Sequence, residues 1–186
     1  MPSLLFGSFR KERVEFEIRG RVVAVLGGRL RVRADEAIRR VAGIQSKHGV
    51  IAQVFDARRV AGKEHLLHAV SLALLFEGRG ERFADNPALN LLCWVAAERQ
   101  IEVALRKVGV TPATEEVAVV VVGKDGTSVR SAAEEVSGLL VRDDEILLQK
   151  REEKELRETF SLPPTVTAGE MGKFVMEKIA LLELLK

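Results

Sequence analysis

Glu64, His65 and His68 form the cluster in this sequence whose residue types and spacing come nearest to holding a metal ion, with two imidazoles at i, i+3 and a carboxylate beside them. A zinc site needs three or four ligands. With no HExxH spacing and a single cysteine in the chain, nothing completes the set, and His65 and His68 read as polar contacts on a helix surface. Cys93 lies between Leu92 and Trp94 in an apolar pattern, whereas a reactive thiolate needs electropositive, partly exposed surroundings. It reads as a structural thiol. No serine sits in a GxSxG elbow. Gly27-Gly28 lacks the third glycine of a dinucleotide fingerprint, and Gly62-Lys63 lacks the upstream glycine and the following Ser or Thr of a phosphate loop. The acidic pairs Asp143-Asp144 and Glu152-Glu153 fall in charged helical stretches and read as solvated faces. These patterns point to a binding protein with no catalytic residue, metal, cofactor or small-molecule substrate, rather than to an enzyme.

The elements that would position any binding residue turn on the run from Asn86 to Val110. Ala88, Leu91, Leu92 and Val95 keep the spacing of one buried helix face, and Ile101, Ala104, Leu105 and Val108 repeat it. At roughly 100° per residue the second stripe lies about 140° around the axis from the first. One straight helix cannot bury both, so the spacing predicts a break near Ala96 to Gln100, with Glu98, Arg99 and Gln100 at a helix-to-helix corner.

Elsewhere, Val14, Phe16 and Ile18 alternate with charged residues as in a half-buried strand. Arg21 to Leu26 and Arg29 to Arg33 flank Gly27-Gly28, which suits a two-residue hairpin turn and would place Arg29, Arg31 and Arg33 on one solvated face. Asp35 is expected to cap a short helix through Val41. Val50 to Phe55 reads as a buried strand, Lys63 to Phe76 as a helix, and Val117 to Val122 as a central strand. A helix starting at Ser128 or Ser131 and running through Val136, a charged helix over Asp143 to Thr159, and a last amphipathic helix from Ala168 to Leu185 follow. Pro163-Pro164 separates the last two. The expected class is α/β (α+β), a small mixed β-sheet packed with several helices. It forms a single compact domain over 1–186, with room for a C-terminal helical extension at 164–186.

Net charge is +2, but the first 62 residues carry +7 and the remainder −5, so a polyanion belongs on the N-terminal half. Few amides and many charged residues suit a thermophilic source. No apolar run approaches the roughly 20 residues of a membrane span, and MPSLLFGSFRKER is too short in apolar residues for a signal peptide. A cytoplasmic protein is expected.

Four stretches resemble a known family. VFDA followed by AGKEHLLHAVSLAL, ERQIEVALRKVGV, VAVVVVGK, and more loosely Val136-Ser137-Gly138 with KELRETFSL are similar to the TPRKB-like kinase-binding subunit of the KEOPS complex, in its archaeal form, from about Arg21 onward. The resemblance implies a non-catalytic subunit in tRNA processing. It would bind and stimulate the small atypical kinase/ATPase subunit and help recruit tRNA by its 3′ CCA end for threonylcarbamoyladenosine (t6A) formation.

A single-stranded RNA end needs basic groups and stacking surfaces. Exposed amides at a helix start also attract phosphate. The residues expected to contact RNA are therefore Lys63 and His65 at one helix start, Arg99 and Gln100 at the corner, and Arg79 and Arg82 in the GRGERF loop. Phe83, Leu89, Trp94, Phe160 and Met171 are expected at the kinase interface, as large apolar residues on the helix pair and C-terminal region. The alternative reading is a stand-alone RNA-binding protein without a kinase partner. A third, a small enzyme of unfamiliar type, rests on Glu64, His65 and His68 alone.

Overall fold

The computed structural model describes residues 15–148 and 153–185. The stretch 1–14, which includes Val14 of the first expected strand and the segment weighed as a signal peptide, lies outside it, as do 149–152 of the expected charged helix.

Strand β1 (Glu15–Ile18) turns into β2 (Arg21–Leu30) through Arg19 and Gly20, both at positive φ (50° and 72°). That is the backbone of a type I′ hairpin turn, which fits the right-handed twist of the strands. The hairpin expected at Gly27-Gly28 does not form, because β2 runs straight through the pair and Arg31 and Arg33 fall beyond it. Close approach explains these glycines: a Cβ on Gly28 would stand 2.5 Å from the Val141 carbonyl, and one on Gly27 would stand 2.9 Å from that of Asp143. Arg29, Arg31 and Arg33 are all exposed, as expected, but only Arg29 lies in the strand, so they form no single strand face. Arg29 pairs with Glu116, Arg31 Nε donates to the Leu140 carbonyl, and Arg33 pairs with Asp35.

Helix α1 spans Ala34–His48, longer than expected, with Arg33 rather than Asp35 at the cap position and Asp35 in its first turn. After β3 (Ile51–Asp56) come α2 (Lys63–Glu77), α3 (Pro87–Ala96), α4 (Ile101–Val108) and β4 (Glu116–Gly123). Helix α5 (Gly126–Gly138) begins at Asp125, whose carboxylate accepts from the Ser128 amide, ahead of either expected serine start. β5 (Leu140–Arg142) then returns to β2. The expected charged helix opens with a 3-10 turn at Asp144–Leu147, and α6 covers only Glu153–Phe160. Helix α7 (Met171–Leu181) ends in a further 3-10 turn, Leu182–Leu185.

The sheet order is β1-β2-β4-β3, with β5 beside β2, and every pairing is antiparallel where a mixed sheet was expected. Strand alternation sorts the side chains into two layers. Ala24, Leu26, Ala52, Val54, Val119 and Val121 face α1 and α5, while Val23, Val25, Phe55, Val120 and Val122 join the core built by α2, α3, α4, α6 and α7. β4 is buried on both faces, which is why its sequence is a continuous valine run rather than an alternation. The fold is α+β, and α7 docks on the body through Met171, Val175 and Ile179.

Candidate functional site

The offset stripes end as two helices. At the end of α3, Ala97 sits in the left-handed region (φ 51°, ψ 48°). Its amide donates to the Trp94 carbonyl at 3.1 Å and the Glu98 amide donates to that of Cys93 at 3.0 Å. This is the paired closure of a Schellman motif, with alanine in the place glycine usually takes. Helix α4 restarts at Gln100, whose exposed side chain makes no capping bond. Arg99 and Gln100 therefore stand at a helix N-terminus on the surface, where exposed amides favour an anion.

Near Arg99, the loop between α2 and α3 closes a cavity of about 250 Å³ lined by Phe76, Gly80, Arg82, Phe83, Trp94 and Arg99, with Glu81, Leu182 and Glu183 completing it. Three rings form its wall. Phe76 stacks on Trp94 with centroids 5.1 Å apart and planes 15° from parallel, and Phe83 lies tilted against Trp94 at 4.9 Å. Guanidinium groups cover two of these rings, Arg79 over Phe76 at 5.1 Å and Arg99 over Phe83 at 5.6 Å, the cation facing the negative π surface. Asn90, itself buried in α3, accepts from the Phe83 amide at 2.9 Å and fixes the loop. The Trp94 indole N–H is buried with no hydrogen-bond partner among the described residues.

The other end of α2 is different. His65 is 1% exposed. The Ala61 amide donates to its Nδ1 at 3.0 Å, so the ring proton sits on Nε2, which donates to the Val95 carbonyl at 2.9 Å. Both nitrogens are used, and burial pushes the imidazole down to about 4, against the partial support of the Val95 bond. His65 can reach neither RNA nor a metal in this structure, and its reading as a surface contact is corrected. The sequence carried a signal for this. His65 lies on the i, i+4, i+8 line with Ala69 and Ala73, the buried stripe of α2. Lys63 is half-buried with its Nζ 5.5 Å from the Phe16 ring centroid, at the opposite end of a helix roughly 22 Å long from Arg79.

Of the six residues expected at RNA, Arg82 and Arg99 line one cavity, Arg79 covers one of its rings, and Gln100 adjoins Arg99. Lys63 and His65 stand apart. Of the five expected at a partner surface, Trp94, Phe160 and Met171 are core residues, at most 2% exposed, and that expectation is corrected for them. Helix α3 is buried from Asn90 to Ala96 on all sides, so a large side chain there packs inward. Phe83 and Leu89 are half-buried. What sequence reading missed is the aromatic wall, because Phe76, Phe83 and Trp94 come from three separate segments.

Cys93 is fully buried, and burial holds its thiol up at about 11, as a structural thiol requires. Among the described residues no group of three His, Cys, Asp or Glu side chains is placed to hold a metal ion, and no helix is long and apolar enough to cross a membrane.

The family model described as kinase binding protein CGI-121 matches residues 32–183, most of the chain. It takes in α1 through the turn after α7. No curated protein matches the chain.

Proposed function

The chain belongs to the CGI-121 family of kinase-binding proteins, and on that footing we propose that it is the non-catalytic KEOPS subunit that binds and stimulates the small atypical kinase/ATPase subunit and helps recruit tRNA by its 3′ CCA end for t6A formation. The family match carries the kinase half. For the tRNA half, the supporting observation is the cavity between the α2–α3 loop and the corner, with the half-buried Phe83 ring as a surface for a base and Arg79, Arg82 and Arg99 for the backbone. Its volume of about 250 Å³ suits one base rather than a duplex. Phe83 and Leu89 remain the proposed apolar contacts for the kinase, since both keep exposed surface beside the loop.

Intact tRNA against tRNA lacking its 3′ CCA is the deciding comparison. The truncated form should bind at least about five-fold more weakly, as lost stacking of one base alone is worth about 1–3 kcal/mol. Equal binding would reduce the protein to an RNA binder that ignores the tail. For the kinase half, the purified kinase subunit should co-elute with the chain at micromolar concentration and hydrolyse ATP faster. An unchanged rate without association would remove that half.

A further inference from the structure

Two residues of the cavity come from outside the stretch that runs from α2 to the corner. Leu182 and Glu183 belong to the 3-10 turn that ends α7, and they complete the lining of the cavity. Leu182 is 4% exposed and belongs to the same buried cluster as Phe76 and Trp94. Glu183 adds a second carboxylate to Glu81 in a cavity lined by Arg82 and Arg99, with Arg79 over one of its rings. The two carboxylates offset most of this positive charge. Without Glu183 the net positive charge rises, the condition that draws a phosphate.

We propose that the C-terminal turn is a displaceable lid on this cavity, with Leu182 holding the space a base would fill and Glu183 standing in for a backbone phosphate until single-stranded RNA replaces both. The proposal rests on the RNA reading above and concerns regulation of the same site. Three features make the turn separable from the rest of the domain. Helix α7 is anchored upstream by Met171, Val175 and Ile179, so the turn can leave without undocking the helix. It forms one short turn rather than a strand or a long helix. The Trp94 ring lines the cavity and its buried N–H has no partner among the described residues, so opening breaks no hydrogen bond of that group.

A lid that must open lowers apparent affinity by the fraction of molecules already open, so removing its hold tightens binding by the same factor. The test uses the full chain and a labelled single-stranded RNA ending in CCA, with wild type, Leu182→Ala and Glu183→Gln compared by anisotropy. Trp94 is the single tryptophan of the chain, so acrylamide quenching of its fluorescence without RNA reads the lid directly. The expected result is stronger quenching in Leu182→Ala and RNA binding about 3- to 10-fold tighter in both variants, as a closed fraction of about 0.7 to 0.9 gives. Glu183→Gln removes charge and leaves packing intact, so it keeps the test valid if Leu182→Ala loosens the domain. Wild-type RNA binding with variants that bind equally or more weakly overturns the lid and leaves the RNA reading standing. No RNA binding by any of the three proteins overturns both.

Discussion

The two ends of α2 carry similar residue types and reach opposite outcomes. At its start, a histidine beside a lysine and a glutamate is drawn inside, and both ring nitrogens are consumed by the Ala61 amide and the Val95 carbonyl. At its far end, arginines of the loop and the corner and aromatic rings of α2, the loop and α3 meet around a cavity, and the Trp94 indole N–H is unpartnered among the described residues. The difference lies in what faces each end. The start of α2 abuts the last turn of α3, whose terminal carbonyls lack intrahelical donors, and an imidazole N–H satisfies one of them. The far end abuts a loop that offers no such demand. A polar residue at a helix start is thus no guide to ligand binding until the neighbouring helix ends are accounted for.

The sharpest break of this contrast is His65→Ala, which removes packing and two hydrogen bonds and should destabilise by about 3 kcal/mol in a denaturant titration. RNA affinity of the folded fraction should stay unchanged. A stable His65→Ala protein with weakened RNA binding would reverse the assignment of the two ends. Acid supplies a related test. The folded value of about 4 lies below the ordinary 6.5, so the unfolded chain takes up the proton first. Stability from this group is complete above pH about 6.5 and falls as pH drops toward 4, by about 3 kcal/mol in all. His65→Gln should flatten that part of the stability profile. If its slope between pH 6.5 and 4 matched that of wild type, the buried neutral imidazole would not be the cause.

On the opposite end, Arg99→Glu should weaken single-stranded RNA binding about 5- to 10-fold and lower the salt slope by roughly 0.7 or more, with stability moved by less than about 0.5 kcal/mol. An unchanged slope would separate Arg99 from the RNA. The smallest expected effect is at the corner between the two regions. Ala97→Gly relieves a left-handed alanine and should raise the melting temperature by about 1–3 °C, for a gain of about 0.5–1 kcal/mol. Any loss would mean that the alanine methyl packs usefully against the corner.

How far the sequence discloses this arrangement depends on whether a feature is periodic or assembled. The corner at residues 97–100 is legible because a phase jump between two apolar stripes has no solution in one straight helix. β4 is legible because a strand buried on both faces cannot afford polar residues. Gly27-Gly28 misleads, since glycine serves a turn and a close approach equally well, and the approaching carbonyls come from residues more than a hundred positions later. Of the site, Arg82 and Arg99 are legible as cations in non-helical positions, but the ring wall is not. Trp94 looks like an interface residue by type and is a core residue by position, because α3 has no solvated side over its second half.

The pairing order of the sheet also dictates when the molecule can take shape. β2 and β3 never touch each other as neighbours; each finds its partner in β4, which for β2 lies roughly ninety residues further along the chain. A growing chain can therefore close the β1–β2 hairpin early but must leave one edge of β2 open and β3 unpaired until Glu116–Gly123 has emerged. Assembly is gated by one late segment, and a nascent chain stalled before it would present open strand edges to aggregation rather than a half-built domain.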